Sequence, residues 1–308
     1  MPEPGRTIPA AAPTGGEPVS PVAAVETAAA GVGTGVRARG RRLPRRAVIA
    51  GVVLGIFVLI AIFAGQIAPH PYGKVVGESS LQGPSSQFIF GTDSVGRDVF
   101  SRVVYGTRIS LGVAAPSVLI SLVIGLLIGL SAAYYGRWLD AIVMRLVDIV
   151  FAFPAILLAI ALIAVLGPSL NDLVIVIVVL FIPRFAVVVR AAARSVRNQE
   201  YIDAAKAMGA GPLWINIRHV IPNIGPVLIV ETALSMSTAI LTEAALSFLG
   251  LGAQPPRPSW GGMLREAQDT MTIAPWTVLY PGLAIVIIVF ALNILGDGLR
   301  DRFDLRRD

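Results

Sequence analysis

Six long apolar stretches, separated by shorter polar segments, run along the chain, and each predicts a helix that crosses a membrane. The first has twenty-one residues without a charge, Ala47–Ile67. At about 1.5 Å per residue, it is long enough to span the hydrocarbon core of a bilayer, roughly 30 Å thick. The six predicted spans cover residues 47–67, 109–135, 141–166, 173–190, 224–249 and 276–296. The pattern therefore predicts an all-α, polytopic membrane protein.

The start of the first span leaves an alternative open, because a basic segment before an apolar run is also typical of signal peptides. The apolar run of a signal peptide has about 7–15 residues, however, and this one is longer and is followed by five more. An uncleaved membrane anchor is therefore the better interpretation. Residues 1–46 before it are rich in Ala, Gly and Pro and end in a basic cluster, so they predict a flexible tail. Residues 47–308 then form the membrane domain.

Composition excludes most other classes of protein. Only 14% of the 308 residues are charged and the mean hydropathy is +0.75, whereas soluble domains carry roughly 25% charged residues. The chain has no Cys and only two His, which excludes disulfide frameworks, thiolate zinc sites and multi-histidine metal sites. No G-x-x-x-x-G-K-[ST] motif is present, so the chain is not an ATPase of the P-loop kind. We therefore expect no catalytic, metal or cofactor residues in this chain.

The distribution of Lys and Arg predicts the orientation. With the tail in the cytoplasm, 18 basic residues fall in cytoplasmic segments and 6 in outer segments. Basic residues favour the cytoplasmic side of a membrane. Both termini are thus predicted to be cytoplasmic, in a multi-pass protein of the cell membrane. The net charge of +6 and pI near 10.1 then reflect topology and contact with lipid, not binding of nucleic acid.

The long cytoplasmic loop, residues 191–223, predicts two short helices on the inner face. Asn198 is a candidate N-cap for the first and Gly209 a candidate C-terminal glycine. Pro212 suits the first position of the second helix, which Pro222 should end. Small side chains would let a partner protein approach closely, although an amphipathic helix lying on lipid headgroups is the alternative. The residues assigned to this docking surface are Glu200, Asp203, Ala204, Ala205, Gly209 and Pro222.

This loop resembles the EAA loop of importer-type ABC transporter permeases. The matching residues are Asp203-Ala204-Ala205, Gly209 and Ile221-Pro222, with Asp in place of the usual Glu and His219 in place of the usual Ile. The His-x-x-Pro ending favours the peptide-permease branch. Three more segments resemble the C-type subunits of dipeptide and oligopeptide permeases, namely residues 90–111, 246–264 and 293–304. The resemblance covers about residue 44 to the end of the chain.

The resemblance implies an importer-type ABC permease fold and a set of partners. This chain would pair with a sister permease subunit to form the pathway for di- and oligopeptides. Two ABC ATPase subunits, which bind the ATP and Mg²⁺, would dock from the cytoplasm, and a binding protein outside the membrane would deliver the peptide. A nickel-chelate or haem cargo, an ion-coupled secondary transporter and a purely structural scaffold remain alternatives.

Charged groups inside apolar spans are costly and predict an interior location. Arg184, Glu231, Ser235 and Thr238 are candidates for lining the pathway, with helix-to-helix contacts as the alternative. For Glu243, near the outer end of its span, a buried contact is preferred. The outer loop, residues 68–108, has its own charged cluster. Asp93, Arg97, Asp98 and Arg102 predict either local ion pairs or an outer gate and docking surface.

Overall fold

The computed structural model describes residues 43–76 and 80–303, and helices dominate this part of the chain. The predicted tail lies almost wholly outside the described residues. The helices, in chain order, are α1 (Arg45–Ile62), α2 (Ala64–Ile67), α3 (Val99–Tyr135), α4 (Arg137–Ala152), α5 (Ala155–Leu166), α6 (Leu170–Arg197), α7 (Glu200–Ala207), α8 (Pro212–Ile215), α9 (Ile221–Phe248), α10 (Trp260–Glu266) and α11 (Trp276–Phe303). A π-helical turn, Asn216–Val220, joins α8 to α9. Within the described ranges the only β pairing is two isolated bridges, so the predicted all-α fold is confirmed.

Five helical segments of the described chain are long and apolar enough to cross a membrane. They are α1, α3, α6, α11 and the continuous run Pro212–Phe248 that ends in α9. The sixth predicted span, residues 141–166, is not one straight helix. It divides into α4 and α5, which meet at an angle of 93°. The pair is one broken span, because α3 before it and α6 after it run parallel.

Proline explains the break between α4 and α5. Phe153 is extended, with ψ 136°, because the ring of Pro154 disfavours helical backbone at the residue before it. Pro154 also has no N–H to continue the helical hydrogen bonds. The sequence prediction of a continuous span is corrected at this point.

The core of the bundle is the parallel packing of α3 on α6. Ser117 donates a hydrogen bond to the carbonyl of Val174 at 3.3 Å, and Ser121 does so to Val178 at 3.1 Å. Further along, Gly125 and Gly129 face the backbone of α6 so closely that a Cβ on either would collide with it. Small residues therefore allow two helix backbones to approach along most of their length.

Helix α11 runs parallel to this pair, and helices α9 and α1 pack antiparallel to α11. Asn293 of α11 donates to the hydroxyl of Ser237 on α9 at 3.0 Å. Gly298 lies against Ala47 at the start of α1. The starts of α1 and α9 and the ends of α3, α6 and α11 thus share one end of the bundle, here called the basic end. The starts of α3, α6 and α11 share the other, here called the loop end.

At the loop end, α3 begins ten residues before the predicted span. Asp98 caps it by accepting a hydrogen bond from the backbone N–H of Ser101 at 3.0 Å. A capping side chain of this type satisfies one of the free donors of a helix start. Arg102 and Arg108, predicted as loop residues, are consequently helical.

Candidate coupling segment and polar pathway

The segment between α6 and α9, residues 199–220, contains the two predicted short helices and is here called the short-helix segment. Gln199, with ψ 141°, occupies the position directly before helix α7. Asn198, the predicted cap, instead ends α6. Gly209 has φ +85°, a left-handed conformation that favours glycine, and it turns the chain towards α8. Pro212 takes the first position of α8 as predicted.

Pro222 does not end a helix. It lies in the first turn of α9, and the helical run continues through it from Pro212 to Phe248. Proline is tolerated in a first helical turn because its missing N–H is not needed there. The π turn before α9 changes the hydrogen-bonding register between α8 and α9. The part of the short-helix segment from Pro212 onward is therefore joined to α9 without a break.

One face of α7 is packed onto the bundle and the other is open. Ile202 is fully buried and Ala205 is 3% exposed, and Ile202 belongs to an apolar cluster with Val189 and Val196 of α6. Asp203 and Ala204 are exposed. The sequence assigned Ala205 to the partner-facing surface, and its burial corrects that assignment. The open face instead consists of Glu200, Asp203, Ala204 and, after the helix, Gly209.

Large apolar side chains extend the open face beyond α7. Met208 is 82% exposed, Leu213 71% and Ile217 59%. Exposed apolar groups concentrated in one segment mark a surface that is covered by a partner or by lipid. The structure therefore presents a small-residue helix beside an apolar rim.

Within the spans, Arg184 of α6 pairs with Glu231 of α9. The guanidinium Nε donates to Glu231 Oε1, and the hydroxyl of Ser235 donates to the same oxygen at 3.1 Å. The Glu231 side chain is 13% exposed and that of Arg184 31%. Thr238 is exposed and bonds back to the carbonyl of Leu234. Three of the four predicted pathway residues thus lie together, and Thr238 lies apart.

At the loop end, three of the predicted charges form a buried ion network. Arg97 Nε donates to Asp93 Oδ2 at 2.6 Å, and Arg102, 1% exposed, lies 3.5 Å from the same oxygen. Glu266 of α10 accepts from both arginines, at 2.5 and 2.8 Å. Asp98 is not in this network, since it caps α3 and lies 3.6 Å from His70 Nδ1.

Sequence reasoning missed Glu266. It stands 169 residues from Arg97, and nothing local distinguishes it from the neighbouring acid Asp269. The same is true of Asp140 in α4, whose carboxylate pairs with Arg190 and Arg194 of α6.

Glu243 lies deep in the packing at the loop end. It is fully buried, it accepts a hydrogen bond from Ser247 at 2.7 Å, and the hydroxyls of Ser110 and Ser259 lie beside it. Helices α3, α9 and α10 therefore meet at one carboxyl group. Glu243 is a packing contact between helices, as preferred from the sequence.

In the described part of the chain, no group of three His, Asp or Glu side chains is placed to hold a metal ion.

Comparison with known proteins identifies the class of this bundle. Residues 108–308 match the family described as binding-protein-dependent transport system inner membrane component. The chain belongs to this family. Residues 44–84 also match the N-terminal transmembrane domain of oligopeptide transport permease C, which places this inner membrane component in the ABC peptide-permease branch predicted from the four motifs. Its members are permease subunits and not catalysts, so the expectation of a non-enzymatic membrane component is confirmed.

Individual relatives agree with the family. The chain is 46% identical over 258 residues to the dipeptide transport system permease protein DppC of Alkalihalophilus pseudofirmus, covering 84% of this chain and 85% of the relative. It is 44% identical over 259 residues to the glutathione transport system permease protein GsiD of Pectobacterium atrosepticum, covering 84% and 86%. The GsiD protein of Escherichia coli is 44% identical over 267 residues, covering 86% and 88%.

Proposed function

We propose that this chain is a permease subunit of an ATP-driven importer and, with a sister permease subunit, forms the pathway for short peptides. Its named relatives move a dipeptide and glutathione, which share a peptide backbone and charged ends. A binding protein outside the membrane delivers the peptide, and two ABC ATPase subunits, which hold the ATP and Mg²⁺, drive the cycle from the cytoplasm.

The observation that carries this proposal is the divided surface of α7. Its buried face is part of an apolar cluster that also includes Val196 of α6 and Ile224 of α9. A push on the exposed face would therefore be passed to two membrane helices rather than absorbed by a loose loop. The open face offers Ala204 and Gly209, which have small or no side chains, to a groove on the ATPase. Asp203 beside them pairs with Lys206 at 2.8 Å.

Cysteine cross-linking tests the coupling role. Because the natural chain has no Cys, a single Ala204→Cys variant carries one reactive thiol. In the assembled complex we expect it to cross-link to an ATPase subunit that carries one Cys in its groove. The matched control is Ala205→Cys, one residue away on the buried face, which should give little product. An active complex without a cross-link from Ala204→Cys would reject the docking of α7.

The pathway is proposed to pass the paired groups Arg184, Glu231 and Ser235. A charged pair at this depth presents both signs to a zwitterionic peptide, and Arg184 is still about a third exposed. A Glu231→Gln complex in proteoliposomes should bind ATPase normally but take up dipeptide more slowly. Unchanged uptake would assign the pair to helix packing alone.

The ion network at the loop end is proposed to have a structural role. Asp93, Arg97 and Arg102 are buried, so they support the shape of the loop end rather than contact a binding protein directly. Exposed neighbours such as Ser94 and Val95 are the groups available for docking.

A further inference from the structure

A basic cleft opens at the basic end of the bundle, beside α7 and apart from the Arg184–Glu231 pair. Its volume is about 320 Å³ and its lining residues are Ala133, Arg194, Arg197, Asn198 and Lys206. The ends of α3 and α6 form two of its walls and α7 forms the third. The cleft is large enough to admit a phosphate group.

The cations of the cleft exceed its anions. Arg194 donates to Asp140 Oδ2 at 2.7 Å, and the same carboxylate also accepts a hydrogen bond from Arg190. Lys206 pairs with Asp203. Arg197 has no acidic partner among these contacts: it donates to the carbonyl of Ala133 at 2.6 Å and its guanidinium lies 4.6 Å over the ring of Tyr134.

Unused donors remain on these cations. A guanidinium has five N–H donors and an ammonium three, and Arg194, Arg197 and Lys206 each use one in the contacts above. Cations in the last turn of a helix also offset its negative end, which accounts for Arg194 and Arg197. Lys206 likewise lies in the last turn of its own helix, α7, but an effect at two separate helix ends does not account for the three cations lining one cleft.

The surroundings of the cleft favour a lipid. Tyr135, 68% exposed, and Trp138, 71% exposed, come directly after the α3 wall, and aromatic rings of this kind are enriched at membrane–water interfaces. Ile142 and Leu146 of α4 follow with open apolar side chains. A basic pocket at the end of membrane helices, next to such a surface, suits an anionic lipid headgroup.

We propose that the basic cleft binds the phosphate of an anionic phospholipid, with Arg194, Arg197 and Lys206 as its cationic contacts. The acyl chains then lie along the apolar face of α4. Such a lipid joins the end of α6 to α7, so it also stabilises the attachment of the short-helix segment. The site does not depend on which cargo is carried.

Native mass spectrometry of the assembled complex tests the site. The complex is released from nanodiscs of equal phosphatidylglycerol and phosphatidylcholine, and retained lipids are counted. The triple variant Arg194→Gln, Arg197→Gln, Lys206→Gln should lose the retained phosphatidylglycerol. At about fivefold in affinity for each cation removed, the expected loss is on the order of a hundredfold.

Two further variants serve as controls. Arg218→Gln, Arg300→Gln, Arg302→Gln removes the same charge from exposed positions at the same end and should retain the lipid. The charge-preserving variant Arg194→Lys, Arg197→Lys, Lys206→Arg should retain most of it even if the neutral variant folds poorly. Equal loss in the neutral variant and the exposed-position control would overturn the proposal, as would lipid retained by the neutral variant.

The same samples distinguish the lipid from two other possible occupants of the cleft, inorganic phosphate and a protein partner. Saturable binding of inorganic phosphate to the lipid-free complex, with no retained phosphatidylglycerol, would make this a free-phosphate site. Loss of the ATPase subunits from the neutral variant, with unchanged lipid, would assign the cleft to a protein partner. Either result would overturn the lipid assignment.

Discussion

Buried charges at the loop end show how single residues hold distant segments together. Arg97 and Arg102 are 9% and 1% exposed as side chains, and both depend on Glu266. Removing one partner of a buried ion pair leaves an uncompensated charge, which costs up to about 3–5 kcal/mol in fully buried cases. The Glu266 side chain is 28% exposed, so a cost below that range is expected here.

Glu266→Gln should therefore lower thermal stability by several degrees, since each kcal/mol corresponds to about 2–4 °C in a domain of 150–250 residues. The matched control is Asp269→Asn, three residues further on and exposed, which should change the melting temperature little. Thermal unfolding of the two purified variants in detergent measures the difference. Equal melting temperatures would show that the network contributes no net stability.

At the scale of elements, close contact between α3 and α6 depends on glycines at particular turns. A Cβ on Gly125 would collide with Phe185 and lie 3.0 Å from the backbone N of Ala186. Gly112, on the same helix, has nothing within 4 Å of its Cβ position. The two glycines therefore look alike in sequence and differ in packing.

Gly125→Ala should destabilise the bundle by about 1–3 kcal/mol, because it forces two helices apart. Gly112→Ala should be neutral or stabilising by up to about 1 kcal/mol, because alanine is the better helix former. Thermal unfolding and the yield of assembled complex distinguish them. A Gly125→Ala protein as stable as Gly112→Ala would contradict tight α3–α6 packing.

At the scale of the whole molecule, the proposed orientation places the basic end in the cytoplasm. Met208 lies at that end and is 82% exposed, and Ser94 lies exposed at the loop end. In intact cells, a membrane-impermeant maleimide should label Ser94→Cys at once and Met208→Cys only after permeabilisation. The reverse pattern would invert the topology.

The local pattern of the chain was enough for the class of fold and the approximate positions of its long apolar helices. An apolar run of membrane length has few stable forms other than a helix, because lipid cannot satisfy backbone hydrogen bonds. Proline and glycine likewise have local effects, and Pro212 and Gly209 act as predicted. Pro154 has a local effect too, since it ends α4, but the angle of 93° between α4 and α5 could not be read from the sequence.

Only the tertiary structure decided which side chains meet. Ala204 and Ala205 are neighbouring residues of the same type. The packing of Ile202 on α6 determines that Ala204 is exposed and Ala205 is buried. Glu231 and Glu266 find their arginines 47 and 169 residues away. Periodicity is a property of neighbouring residues, whereas these partners are brought together by the packing of helices far apart in the chain.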